Sequence, residues 1–448
     1  MNNDIIRKPN IKLILGLIFT FFIAVAIGTA AMILVFLIPT ERIEEHVGES
    51  VEIFEKEGVY PTLYRGITST LDNHTDAWML LNAMDNREEG LLERAFHVYR
   101  VDYEGENPVW VLIRYFSGEQ TDSKIEYMRY WHGYLVLLKP ALYFITYDSI
   151  RKVNIILHSL LFIAIVILMV KRKIWQYIFP FLISFASIMP IANALSMQFA
   201  TCTYIIMISL IILLINDKAW KESRDKYLYL FLITGMCTSY FDFLTFPAAT
   251  FGMLYCMYTI LNGNISKPVD SIKYFLIYGI DWSIGYVGMW ASKWIITSIA
   301  LKINALQAGI NAVKYRSSMN HGGEPGETYT IAGVMSRNFN NWIKSPFSQL
   351  LIVFVIIVLF LVIIKGKDAG LKNSIIIFLP TMALTFIWYL FIGNHSWVHS
   401  WFTYKEYVIF AFAVSSLPVY SICNSDLIKA TIKKQSNIIH KKKKRRKK

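Results

Sequence analysis

The sequence predicts an all-α polytopic membrane protein with about ten transmembrane helices and two large extracytoplasmic loops. Three observations carry that expectation. The 448 residues are 55% hydrophobic and 15% aromatic but only 17% charged, too apolar for an ordinary soluble domain. Apolar segments recur that are long enough to cross about 30 Å of hydrocarbon. Basic residues collect in the connections that fall on one side when those segments are threaded in order.

The first segment, Ile11 to Ile38, holds one charge, Lys12, and runs on to Pro39 with no small-residue cleavage site, so it reads as a retained anchor and not a signal peptide. Further apolar segments follow at 151–170, 174–195, 198–215, 227–245, 247–262, 274–292, 347–364, 374–392 and 405–422. Pro180, Pro190 and Pro247 interrupt some of them, and such breaks persist in lipid only where protein or a cavity satisfies the freed backbone. No internal repeat is visible, which argues against a transporter built from inverted halves.

Orientation follows from the short connections. Arg7, Lys8, Lys12, "KRK" 171–173, "NDKAWKESRDK" 216–226, "KGK" 365–367 and the tail "KKKKRRKK" 441–448 share one side, which the positive-inside rule makes cytoplasmic. The expected organisation is a cytoplasmic N-terminus and first helix (1–38), a large extracytoplasmic loop with amphipathic helices (39–150), a bundle (151–292), a second extracytoplasmic loop (293–346), C-terminal helices (347–422) and a basic cytoplasmic tail (423–448). Localisation is expected to be a bacterial plasma membrane, multi-pass, with both termini cytoplasmic. The net charge of +13 is explained by this topology and the tail, so the lipid bilayer is the expected partner and nucleic acid is not.

The first loop carries 20 Asp plus Glu against 10 Lys plus Arg, as expected outside. The second departs from the rule: Lys293, Lys302, Lys314, Arg316, Arg337 and Lys344 outnumber Glu324 and Glu327, which suggests an anionic ligand, while "NHGGEPGETYT" looks like a mobile loop. Cys202, Cys237, Cys256 and Cys423 lie in or beside apolar segments and show neither a disulfide framework nor a metal spacing.

Chemistry concentrates in four polar-aromatic clusters on the side opposite the basic connections. In "TSTLDNHTDAWML", 68–80, Asp72 or Thr75 can cap a helix running through Trp78. If both are helical, Asp72 and Asp76 share a face, where one could act as general base or both could hold a divalent cation such as Mg or Mn. Asp76 is the first choice as base, with His74 beside it. "MRYWHGYLVLLKP", 128–140, offers Arg129, Tyr130 and His132 to a ligand or to an interfacial belt. Asp242, beside a Pro-broken helix end, is a site candidate, whereas Asp281 reads as a buried structural group. "IGNHSWVHSWFTYKEY", 392–407, supplies Asn394, His395, His399, Tyr404 and Lys405, suited to hydrogen-bonding a headgroup or sugar; the i, i+4 histidines are a weak metal signal without a nearby ligand motif.

This pattern of many spans, a large first outer loop with an acid soon after the first span, and a second large outer loop resembles the GT-C superfamily of polytopic glycosyltransferases. The resemblance implies a sugar donor linked to polyprenyl phosphate, a glycan or protein acceptor in the cell envelope, and an inverting transfer. In that family a first-loop Asp or Glu serves as base or metal ligand, which corresponds here to Asp76 and then Asp72, although no adjacent DxD or ExD occurs. Lys314 and Arg316, with Arg129 in reserve, are the cations expected to steady the departing lipid phosphate. Two rivals share part of the pattern: a cell-surface polysaccharide polymerase or ligase resting on outer-loop arginines, and a non-enzymatic flippase or transporter for a lipid-linked sugar.

Overall fold

The computed structural model describes residues 11–64, 66–86, 89–119, 121–264, 267–319, 329–364 and 370–424. Arg7, Lys8, the "KGK" 365–367, the tail 441–448, Glu324 and Glu327 therefore lie outside the described residues. Helices dominate. The only paired strands among the described residues are the short Arg100–Val101 and Lys124–Ile125, antiparallel with Arg100 opposite Ile125.

All ten apolar segments are helical, yet six helices combine the length and apolarity to cross a membrane: Ile11–Val35, Tyr147–Lys171, Met197–Trp220, Pro346–Ile364, Leu371–Phe391 and Ser400–Asn424. The others differ for identifiable reasons. The segment at 174–195 breaks where Met189 takes φ 55° before Pro190, giving the short helices Ile178–Ala186 and Pro190–Leu195. Asp225–Phe241 and Ala248–Asn262 have 17 and 15 residues, and the 33-residue Val269–Leu301 runs past position 293 and carries Asp281 and Lys293.

Two apolar cores result. The larger fills the bundle. The smaller joins residues 25–54, 77–112 and 131–150 to Met197, Leu232, Met236, Tyr240 and Met289, so a polar subdomain, roughly 36–146, rests on the ends of three bundle helices. Within it, the amphipathic stretch after the first span forms Glu41–Gly48 and Val51–Glu57, and the aromatic stretch near 135 forms Leu135–Phe144.

Directional bonds fix this docking. Trp131 Nε1 donates to the Met289 carbonyl at 2.6 Å, Gly133 N to Tyr240 O at 2.9 Å, and Trp294 Nε1 to Arg129 O at 2.9 Å. Gly133 has no alternative, since a Cβ there would lie 2.2 Å from the Tyr240 ring and 2.6 Å from its carbonyl. His132, one of the expected site residues, is consumed here: it sits at φ 55°, and its Nε2 donates to Tyr127 O at 2.7 Å.

Helices Asp225–Phe241 and Val269–Leu301 make the closest approach in the bundle. Their backbones come together at Gly235 and Gly285, where a Cβ would lie 2.1 Å from Trp282 O and 2.3 Å from Leu232 O. Small residues permit such contact, and dispersion then holds helices whose surroundings are as apolar as themselves. Gly285→Leu is expected to destabilise the fold by about 3 kcal/mol or more, the upper range for overpacking. Thermal unfolding of the detergent-purified chain, followed by tryptophan fluorescence, checks this; an unchanged midpoint would contradict the close crossing.

Candidate functional site

The stretch "LDNHTDAW" places its acids differently from a shared helical face. Asp72 is the N-cap of Asn73–Ala83: its Oδ1 accepts from Thr75 N at 3.0 Å, and its own N–H donates to Ser196 Oγ at 3.0 Å. Its Oδ2 has no hydrogen-bond partner among the described residues, although the residue is fully buried. Asp76 turns the other way. Its Oδ2 accepts from Tyr147 Oη at 2.7 Å and Met197 N at 3.1 Å, and its Oδ1 from Gln198 N at 3.3 Å. It thus caps the first turn of Met197–Trp220 from another part of the chain, with its charge at the positive end of that helix.

Arg151 locks this junction. It grips Glu57 with two nitrogens at 2.8 and 2.9 Å, reaches Asn73 Oδ1 at 2.9 Å and donates from Nε to Leu195 O at 3.0 Å. Lys405 lies on the other flank of Asp72, close enough to influence its charge, and donates to Asn193 Oδ1 at 2.8 Å and Ile188 O at 3.1 Å. Tyr404 donates to Thr68 O at 3.2 Å, fastening the loop that leads to Asp72.

Burial pushes the Asp72 carboxyl up to about 7, helped by Asp76 and opposed by the Thr75 bonds and Lys405. Burial likewise lifts Asp76 to about 6, opposed by the Tyr147 bond and Arg151. The two carboxylates do not converge on a metal, and among the described residues no group of three His, Cys, Asp or Glu side chains is placed to hold one. The Mg or Mn suggested by the sequence does not fit the residues present.

A pocket is formed by other, mostly aromatic residues. It is lined by Tyr130, Tyr286, Trp290, Trp294 and Trp388, with Arg129 and Arg316 among its walls, and is small, at about 60 Å³. Helix Ala305–Arg316 covers it, pressed onto Trp294 at Gly309, where a Cβ would lie 2.3 Å from the indole. Arg129 lies over the Tyr127 ring at 5.0 Å, and Arg316 Nη1 is 3.5 Å from His399 Nε2. Among the described residues neither guanidinium has a carboxylate within ion-pair distance. Roomier depressions occur on the polar subdomain, but Asp85, Glu89 and Asp122 line one and Glu41, Glu44, Glu45 and Glu119 the other, the wrong sign for an anionic ligand.

A strip of rings runs from the neighbourhood of Asp72 to this pocket. Tyr60, near enough to Asp72 to feel its charge, meets His74 at 6.0 Å and Trp401 at 4.7 Å between centroids. His74 accepts at Nδ1 from Asn107 Nδ2 at 3.0 Å and meets Trp78, which stacks on Tyr127 at 5.1 Å. His399 lies against His395 at 4.7 Å. Burial lowers the pKa of both His74 and His399, the latter to about 3 with Arg316 adding to the effect, so both rings are neutral acceptors near pH 7.

The remaining expected residues divide. Asp242 is buried at the rim, its Oδ2 accepting from Thr245 N at 2.8 Å. His395 is a brace, its Nε2 donating to Leu244 O at 2.7 Å. Asn394 is buried and its N–H donates to Ser318 O at 2.9 Å. Lys314 is exposed; two residues before Arg316 it lies about 200° around the helix and does not share its face. Sequence reading missed Tyr60, Trp78, Asn107, Tyr147, Arg151 and Asn193. Arg151 alone left a signal, as a cation just inside an apolar segment.

Comparison with protein-family models, with curated proteins and with solved structures found no match to this chain.

Asp76→Ala would leave the Tyr147 hydroxyl and two backbone N–H groups buried without an acceptor and is expected to cost about 3 kcal/mol or more. Failure of this variant to lose folded yield, measured by size-exclusion chromatography in detergent, would overturn the bridging role. For Asp72, a folded pKa of about 7 exceeds the ~3.9 of an exposed aspartate, so the fold favours the protonated form. Its stabilising contribution is complete below about pH 4 and is lost as pH rises through about 7. Asp72→Asn keeps an N-cap acceptor and removes the titration. Its thermal midpoint relative to the wild type should therefore rise between about pH 5 and 8; a flat difference would contradict the perturbed carboxyl.

Proposed function

We propose that this chain is a membrane glycosyltransferase that moves a sugar from a polyprenyl-phosphate-linked donor to an extracytoplasmic glycan, polymer or protein acceptor, with inversion at the anomeric carbon. On this reading all ten apolar helices span a plasma membrane, both termini are cytoplasmic, and the polar subdomain and the 302–345 region face outward. The observation that carries it is a buried carboxylate, Asp72, with an oxygen that has no hydrogen-bond partner among the described residues, one strip of rings away from an aromatic pocket bearing two guanidiniums that have no carboxylate within ion-pair distance among the described residues.

The chemistry divides between Asp72 and the aromatic pocket. Asp72 Oδ2 takes the proton from the acceptor hydroxyl as that oxygen attacks the anomeric carbon. Arg129 and Arg316 hold the departing lipid phosphate, for which the planar guanidinium is well matched. The Trp and Tyr faces pack against sugar and isoprenoid. Asp76, both oxygens committed to helix Met197–Trp220 and Tyr147, positions the strand of chain that carries Asp72 and does not act as base. Helix Ala305–Arg316 must lift from Trp294 to admit the donor, and Tyr60, half exposed, must swing aside to admit the acceptor.

A polysaccharide ligase is the second reading, favoured by the same two arginines. In it Asp72 is dispensable. Purified protein in nanodiscs, given a labelled polyprenyl-phosphate sugar and an envelope acceptor fraction, separates the two. Asp72→Asn should reduce transfer by about 100- to 10,000-fold, the usual share of a positioned base. Transfer that survives in Asp72→Asn but fails in Arg316→Ala would favour the ligase. Because the base acts deprotonated, wild-type kcat/KM should climb as pH rises through about 7; a rate falling over that interval would exclude Asp72.

A further inference from the structure

A groove of about 350 Å³ is walled by Ile155, Phe162, Leu182, Phe185, Ile191 and His158. Its walls are the apolar helix Tyr147–Lys171 and the pair created by the break at Met189–Pro190. Ile156, Leu160 and Ile163 beside it are more than half exposed, as side chains facing hydrocarbon are. What meets this groove is therefore lipid.

His158 makes the groove more than an apolar cleft. It is only 3% exposed, and neither ring nitrogen has a hydrogen-bond partner among the described residues. Its neighbours cannot serve it: Tyr204, edge-on at 4.4 Å, gives its hydroxyl to Asn154 Oδ1 at 2.8 Å, and Ser159 Oγ donates to Ile155 O. An imidazole with no partner in hydrocarbon is costly, on the order of 1–3 kcal/mol for the unpaired polar group. Rotation about its Cβ–Cγ bond, a broad torsion, brings a nitrogen into the groove.

We propose that this groove binds one acyl chain of a glycerophospholipid from the leaflet adjoining the polar subdomain, with an ester carbonyl of that lipid accepting from His158. Depth selects this occupant. Lys152, exposed and paired with Asp148, marks the edge of the apolar band that begins at Val153. His158 follows six residues later, about 9 Å down the helix, and its side chain leans back toward the edge. A glycerolipid carries ester oxygens just below its phosphate. An isoprenoid phosphate is pure hydrocarbon below its phosphate, and would have to draw that charge into the apolar band to reach the ring.

Helix Pro190–Leu195 separates the groove from Asp72 and Lys405: Ile191 and Ala194 line the groove, while Asn193 meets Lys405, and Ser196, one residue beyond, meets Asp72. The site stands whether or not the chain is a glycosyltransferase.

The test needs only the full chain in detergent and native mass spectrometry. Protein is incubated with equal amounts of phosphatidylglycerol bearing two ester-linked oleoyl chains and its ether-linked analogue, which lacks the carbonyls. The wild type should retain the ester form over the ether form by roughly fivefold, equivalent to about 1 kcal/mol for one hydrogen bond. His158→Phe, which keeps a ring in the wall, should retain both equally. Equal retention by the wild type, or displacement of the ester lipid by an equimolar polyprenyl phosphate, would overturn the assignment. The wild-type comparison stands even if the variant fails to fold.

Discussion

Asp76 accepts hydrogen bonds from Tyr147, Met197 and Gln198 at once, and these bonds join the polar subdomain to the bundle. A buried carboxylate is tolerated only where its lost hydration is replaced by fixed donors. Here those donors come from the starts of two apolar helices, so the acid is satisfied only when the polar subdomain and the bundle are assembled together. Arg151, bridging Glu57, Asn73 and Leu195, spreads the same constraint over two further elements, Val51–Glu57 and Pro190–Leu195. The position of Asp72, four residues earlier and capping the same helix, follows from that assembly.

Buried lysines use the complementary logic. Lys139 donates to Ala83 O, Lys293 to Phe96 O and Lys405 to Ile188 O, each carbonyl at or just beyond the C-terminal end of a helix. Backbone carbonyls unpaired at a helix end are the negative pole of its dipole, so each ammonium finds a partial counter-charge there. Arg129 and Arg316 instead line the aromatic pocket, with no carboxylate within ion-pair distance among the described residues, and Arg316 closes its own helix, Ala305–Arg316.

Much of this was legible from periodic apolarity and charge. Each apolar segment became helical, the one at 174–195 as two short helices, and Arg129 and Arg316 line one pocket with His399 beside Arg316. What could not be read was partnership across distance. Asp76 and Met197 are 121 positions apart, and nothing local distinguishes a general base from a remote helix cap. The same limit hid His132 and His395 as backbone braces, because their partners, Tyr127 O and Leu244 O, are carbonyls that any residue could supply. Lys314 was separable from Arg316 only once the face of their helix was known.

The 121-residue separation has a consequence for biogenesis. At translation rates of about 5 to 20 residues per second, Asp76 leaves the ribosome roughly 6 to 24 s before Met197 does. For that interval the subdomain must persist with its central acid still hydrated and with Met197, Leu232 and Met289 missing from its core. Its maturation is therefore clocked by insertion of the later helices, and a nascent chain stalled before residue 197 presents an incomplete surface to chaperones and proteases.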